Sequence, residues 1–390
     1  MHPKIDPSIL NSVGILGMDR CQVIVYYRDE NFIHKVQNNP DFEVLGHYPF
    51  IKALAICVNY RKIFNFANDI GVNYVTKVAT THTLVHNARD MLGVDKLHTQ
   101  GVNGRGVNVA VIDTGCYPHL DFVLGENRIV KFVDFVNGRE LPYDDNGHGS
   151  FVAGVLCGSG LVSGTKFAGI APKSGLIVLK SLKSDGQTQA YKVLEAMQWI
   201  YTNCLKYNIR VVCMSFGSTP LGQNDPLSLG ANSLWQKGVV VVSAVGNDGP
   251  RPSSVKSPGA SGKIITVGCA DTRKNDISVA DFSSRGPIFD FIKPDLIAPG
   301  VEITSLSNSE NFYTTMSGTS VSAPVVAGIC ALLIQQNPSL TPNMIKSILL
   351  SSARTLPFDV NACGAGLVDA GAASELAKLS RPIQSQTAQK

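Results

Sequence analysis

Apolar stretches of strand length recur along this chain between segments with helical spacing, and that alternation limits the fold more than any other feature. "LIVLKSL" (176–182), "RVVCMSFG" (210–217), "GVVVVSAVGN" (238–247) and "KIITVGCA" (263–270) carry no regular polar face. A strand wetted on one side alternates polar and apolar residues, whereas a strand covered on both sides has no need to. Between them, "QAYKVLEAMQWIYTNCLKY" (189–207) and "SLGANSLWQKG" (228–238) repeat apolar residues at the period of a helix. The pattern predicts an α/β domain, with a mostly parallel sheet covered by helices on both faces, opening at "GVNVAVIDTG" (106–115). Ligands of such sheets bind beyond the carboxyl ends of the strands. That rule singles out Asp113 after "NVAVI", Ser215 to Gly217 after "VVCM", and Asn247 after "VVVVSAVG".

Residues 21–78 follow a different rule. Strand patterns at 21–28, 41–48, 50–58 and 71–78 enclose helical patterns at 29–39 and 60–69. The β-α-β-β-α-β order predicts a small ferredoxin-like α+β unit ahead of the larger domain. The expected division is an extension at 1–20, the small unit at 21–84, the large domain at 85–378 and a polar tail at 379–390. "ATTHTLVHNARD" (79–90) reads as a polar connector with few structural signals.

Composition narrows the function. With 44% hydrophobic and 16% charged residues the chain can build a large core. Its net charge of +4 comes from dispersed residues, with no basic run suited to a nucleic acid or a membrane surface. "MHPKIDPSILNSVGILGMDR" lacks the continuous apolar segment of about 7 to 15 residues that a secretory signal needs. No stretch approaches the ~20 apolar residues of a membrane span. The nine cysteines are odd in number, form no CxxC pair and lie mostly in apolar runs, which predicts reduced, buried thiols and a cytoplasmic setting.

"FYTTMSGTSVSAPVVAG" (312–328) crowds Ser317, Thr319, Ser320 and Ser322 ahead of an apolar helix. A hydroxyl there caps free backbone N–H groups, or it is a nucleophile whose developing charge those groups and the helix dipole favour. Two other residues weigh on the choice. Asp113 ends a buried strand in "VIDTG", where a carboxylate needs a partner unless it serves only in a turn. His148 stands between Gly147 and Gly149 in "DDNGHGSFVAG", with room for backbone to approach the ring. Together they supply the parts of an acyl-transfer triad, in which Ser320 attacks, His148 moves its proton and Asp113 orients the ring. Asn247 in "AVGNDG" could supply a side-chain N–H to the oxyanion, a donor worth about 3 to 4 kcal/mol of barrier.

"VIDTG", "NGHGSFVAG", "SAVGNDGP" and "MSGTSVSAP" are similar to the four motifs of the subtilisin-like serine proteases, in the order that family carries them. "FSSRGP" (282–287) and "KPDLIAPGV" (293–301) also resemble family segments, and the match runs over about residues 95 to 375. Within the family the chain most resembles the intracellular alkaline serine proteases of bacilli. The resemblance implies endopeptidase activity on protein or peptide substrates, with Asp113, His148 and Ser320 as the triad and Asn247 as the oxyanion residue. It also implies that 21–84 is a prodomain that assists folding, inhibits the enzyme as an intramolecular partner and is cut off near Leu84.

Some positions depart from the family pattern. Phe151 stands where a second, non-triad histidine is usual, and Val321 and Ser322 stand where Met and Ala are common. None of these removes a catalytic group. By their match to the family's segments, the resemblance implies that the walls of the pocket for the residue before the scissile bond (P1, bound in S1) are Ser215, Phe216, Gly217 and Ala244, Val245, Gly246, with Lys256 near its base. An ammonium reaching into the pocket would favour acidic P1 residues, whereas one turned to solvent would not. Many subtilases bind calcium with loop carboxylates and amides after the histidine helix. Here "CGSGLVSGTKFAG" (157–169) has no Asp, Glu or Asn, so a tight site is not expected there and no cofactor is required. The competing reading is a catalytically silent protein on the same fold, acting by binding or regulation. A nucleotide-binding oxidoreductase is disfavoured because "GSGLVSG" (158–164) lacks the GxGxxG spacing and follows a helix pattern.

Overall fold

The computed structural model describes residues 3–5, 20–77, 86–273, 276–309 and 313–380, which belong to two units, Met1–His82 and Thr83–Lys390. In the first, strand β1 (Arg20–Tyr27) buries Val23, Val25 and Tyr27, every second residue, as a half-covered strand should. Leu54, Ile56 and Val58 do the same from β3 (Ala53–Asn59), the third strand in the chain. These rows form one core with Phe32, Ile33 and Val36 of helix α1 (Asn31–Gln37) and with Ile63 and Ala67 of α2 (Tyr60–Ala67). With β2 (Phe42–Tyr48) and β4 (Val72–Lys77) they make an antiparallel sheet in the order β2-β3-β1-β4, so the expected β-α-β-β-α-β succession is present. β3 starts at Ala53 and not at 50, because Pro49–Ile51 forms a 3-10 turn and Lys52 takes a left-handed φ of 49°.

The second unit is built on β5 (Asn108–Asp113), β6 (Ile129–Asp134), β7 (Gly175–Lys180), β8 (Ile209–Met214), β9 (Val240–Ala244) and β10 (Ile265–Asp271), parallel in the order β6-β7-β5-β8-β9-β10. At the far edge, β11 (Ser278–Val279) runs antiparallel and β12 (Leu296–Pro299) parallel to β10. All of β9 and residues 109–113 of β5 are buried, which is why their sequences lack a polar face. Two short helices, α3 (His86–Met91) and α4 (Val94–Thr99), precede the sheet. Helices α5 (His148–Cys157), α6 (Ala190–Asn203), α7 (Pro226–Gln236), α8 (Thr319–Gln336), α9 (Pro342–Ser352) and α10 (Ala370–Leu379) flank it. α6 and α7 pack on each other, while α8 lies against α5 and across β8, β9, β10 and β12. By length and composition α8 could cross a membrane, but it is buried from Val321 to Ile334 and apolar all round because it is the core helix of this unit.

Two features were not foreseen. The stretch read as a connector turns helical at His86, and Arg89, only 5% exposed, ties it down by donating Nε to Asp95 Oδ1 (2.9 Å) and Nη1 to the Ala168 carbonyl (2.5 Å). An antiparallel hairpin, β13 (Ile303–Leu306) and β14 (Tyr313–Met316), delivers the chain to α8. Leu84 and residues 381–390 lie outside the described residues. All nine cysteines are free, seven of them buried. Burial pushes the thiol pKa up to about 11 in Cys157 and about 12 in Cys213 and Cys269, which leaves them poor nucleophiles.

Candidate active site

Asp113 is the last residue of β5, at the carboxyl edge of the sheet where the strand order reverses, and it is fully buried. Its Oδ1 accepts from the Thr114 N–H (2.7 Å) and faces Nδ1 of His148 at 2.8 Å. Oδ2 is buried with no hydrogen-bond partner among the described residues, so the imidazole carries most of the compensation for a buried charge. A carboxylate can only accept, which puts the proton on Nδ1 and leaves Nε2 as a free base. Burial by itself would pull the His148 pKa down. The charge and hydrogen bond of Asp113, with the more distant Asp144, outweigh it and hold the ring above its ordinary value. The His148 side chain remains 28% exposed, enough to meet a ligand.

Glycines set the position of the ring. Gly147 caps α5 at a φ of 107°, a region open to glycine, and His148 is the first helical residue. A methyl added at Gly149 would stand 2.2 Å from the Gly115 carbonyl, so any other residue there would push the helix off the Asp113 loop. Asp144, not singled out from the sequence, organises this loop: Oδ1 accepts from Gly147 N, Asn146 N and Thr114 Oγ1, and Oδ2 from Ser150 N and Oγ. Burial opposes its ionisation, but these donors hold its carboxyl below the usual range. Lys180, also missed, is fully buried beneath the same loops and donates Nζ to Thr114 O (2.5 Å), Asp145 Oδ1 (2.6 Å) and Leu182 O (3.1 Å). The signal for Asp144 was present, since a short acidic side chain ahead of Asn-Gly is a common cap for the backbone that follows.

The hydroxyls before α8 are now distinguishable. Ser317 Oγ accepts from Glu302 N (2.8 Å), Ser322 Oγ donates to Ala298 O (2.9 Å) and Thr319 Oγ1 donates to Asn247 Oδ1 (2.9 Å). None caps the helix through its side chain; Gly318 holds the cap position. Ser320 is half-exposed in the first turn, and its Oγ makes no hydrogen bond with any described residue, His148 included. Catalytic hydrogen bonds often close only around a substrate.

The orientation of Asn247 follows from its partners. Its Oδ1 also accepts from the Thr319 N–H at 2.9 Å, and a backbone N–H can face only an acceptor. The amide nitrogen is therefore turned the other way. A methyl built on Gly318 would lie 3.4 Å from Asn247 Nδ2 and 3.0 Å from Ser320 Oγ, so the two groups border one space.

The proposed S1 segments also converge. Ser215–Gly217 follow β8 directly, and 244–246 close β9. Between them, Lys256 N donates to Val245 O (2.8 Å), while Ser257 and Ser218 exchange backbone bonds of 2.9 and 3.0 Å. Phe216 is half-buried, whereas Ser215, Ala244 and Val245 are buried and contribute mainly backbone to the wall. The Lys256 stem packs against Gly217 and Gly246, and its ammonium pairs with Asp248 Oδ2 at 2.5 Å. Phe151, in place of the second histidine, is fully buried in the core.

Comparison with known proteins gives the family. Residues 104–366 match the model of the Subtilase family. Serine protease AprX of Bacillus subtilis is 38% identical over 348 residues, covering 81% of this chain and 75% of AprX. Subtilisin DY of Bacillus licheniformis is 33% identical over 288 residues, 73% of this chain and 97% of its own length. Among solved structures, a cold adapted subtilisin-like serine proteinase superposes with a TM-score of 0.57 at 30% identity, covering 68% of this chain and 88% of that one. A parallel sheet with the family's order of motifs, matched over most of its length, leaves one assignment: the chain belongs to the subtilase family and is a serine peptidase of that type.

Proposed function

We propose that the protein is an endopeptidase working through Asp113, His148 and Ser320, made as a zymogen. One observation carries this reading: the 2.8 Å pairing of His148 Nδ1 with buried Asp113 leaves Nε2 as the base, beside a helix that holds one uncommitted hydroxyl, Ser320. In the reaction, Ser320 Oγ attacks the peptide carbonyl while His148 Nε2 takes its proton. The oxyanion is held by Asn247 Nδ2 and the free N–H of Ser320 in the first turn of α8. His148 then gives the proton to the departing amine, leaving an acyl-enzyme, and water repeats the sequence to release the acid. The β-α-β-β-α-β unit is the prodomain in this reading, acting as folding assistant and intramolecular inhibitor until cleavage near Leu84.

No cofactor is needed for these steps. The loop at 157–169 also fits a tight calcium site poorly. Both oxygens of Asp121 beside it are taken, Oδ1 by Val162 N (3.0 Å) and Oδ2 by Gly160 N (3.1 Å) and Tyr313 OH (2.9 Å), and Arg89 occupies the Ala168 carbonyl. Nine free cysteines support a reducing, cytoplasmic setting.

Intact masses of the wild type and Ser320→Ala, with and without a fluorophosphonate, test the proposal. The expected result is loss of about 84 residues (the span assigned to the prodomain) and one adduct in the wild type alone. If the wild type stays unlabelled even after limited proteolysis of its N-terminal unit, the silent reading stands instead.

A further inference from the structure

We propose that Lys256 and Asp248 together close the lower part of the S1 pocket, making the enzyme selective for short P1 side chains. The inference rests on the protease reading above and deepens it.

The position of the pocket follows from the oxyanion amide. A carbonyl held by Asn247 Nδ2 places the P1 side chain beside the backbone just before Asn247, between Gly246 and the facing segment at Gly217. That space is where the Lys256 stem runs. A methyl on Gly217 would stand 2.5 Å from Lys256 Cβ, and one on Gly246 would stand 2.5 Å from its Cγ. The stem is thus in contact with both walls at once, and a long P1 side chain would have to displace it.

The ion pair holds the stem in place. Lys256 Nζ lies 2.5 Å from Asp248 Oδ2, and the lysine side chain is only 24% exposed. The Asp248 backbone is held by its N–H donating to Ser284 Oγ (3.0 Å), and Arg251 Nη2 approaches its half-exposed carboxylate at 3.8 Å. An acidic P1 residue gains little here, since the ammonium already has a carboxylate and the newcomer would face Asp248. Leu and Phe lose the depth they need, so self-cleavage near Leu84 falls after a shorter neighbour such as Thr83 and not after Leu84 itself. Ala and Ser fit above the stem.

The test is the ratio of kcat/KM values for otherwise identical peptides with Ala, Leu, Phe or Glu at P1, with active enzyme counted by fluorophosphonate titration. The purified wild-type protein should favour Ala over Phe and over Glu by at least about tenfold. Lys256→Gly should raise the Phe/Ala ratio tenfold or more by opening the base. Asp248→Asn should raise the Glu/Ala ratio by a similar factor by freeing the ammonium. A titratable wild type that prefers Phe, Leu or Glu overturns the proposal, as does an unchanged Phe/Ala ratio in titratable Lys256→Gly. Absence of titratable enzyme in the wild type and both variants, even after limited proteolysis of the N-terminal unit, would overturn the protease reading itself and this inference with it.

Discussion

Asp113 offers its buried charge to a single ring, and the pH behaviour of the enzyme follows from that pairing. Because His148 is held above its ordinary pKa of 6.5, the acid limb of kcat/KM should lie above that value, with activity lost as the ring protonates at lower pH. The same shift stabilises the folded chain fully below pH 6.5, a contribution lost as pH rises through the higher folded value. Asp113→Asn should move the acid limb to lower pH and reduce kcat by about 10⁴, because the ring loses both its charge partner and its tautomer. A pH profile of the variant with an unmoved limb would remove Asp113 from this role.

Two loops, one ending β5 and one opening α5, meet over the buried ammonium of Lys180. Its bonds to Thr114 and Asp145 join segments that approach only because β5 and β7 pair in parallel, Asp113 opposite Lys180. Lys180→Met should cost about 3 kcal/mol in urea unfolding, since it leaves carbonyls and a carboxylate without their donor. A loss below about 1 kcal/mol, the range of an exposed pair, would show that the tie does not matter. This is also where legibility from the sequence stops. The apolar runs of β5, β8 and β9 declared a parallel sheet because burial on both faces shows in nearly every residue, and Asp113, Ser215–Gly217 and Asn247 stand at or just after the ends of those runs. Helix α3 was hidden because its anchor, Arg89, finds Ala168 across 79 positions of chain. The pairing of Lys256 with Asp248 was hidden too. Sequence spacing offered pocket or solvent for the ammonium, and only the close walls at Gly217 and Gly246 select the path of the stem.

At the scale of the whole molecule, one titratable group stands out among the described lysines: Lys293, which is fully buried. Burial, helped by the ammonium of Lys346, lowers its pKa to about 8 against the pull of Asp295 at 2.6 Å. Between about pH 8 and 10.5 the unfolded chain therefore holds a proton that the folded chain has released, so this group makes folding more favourable as pH rises. The Tm difference between the wild type and Lys293→Met should grow in favour of the wild type across that window, while Lys346 keeps Asp295 paired at 2.9 Å. A constant difference from pH 8 to 10.5 would show that Lys293 does not titrate there.

The helix that begins beside Ser320 is the same one that fills the centre of the larger unit, with almost every residue from Val321 to Ile334 out of water. A protease surrounded by copies of itself is both predator and prey. To be cut within this helix, a copy must first open its core, and opening it would displace the hydroxyl proposed as nucleophile. A copy opened that far would lose its own hydroxyl's setting as it became a substrate.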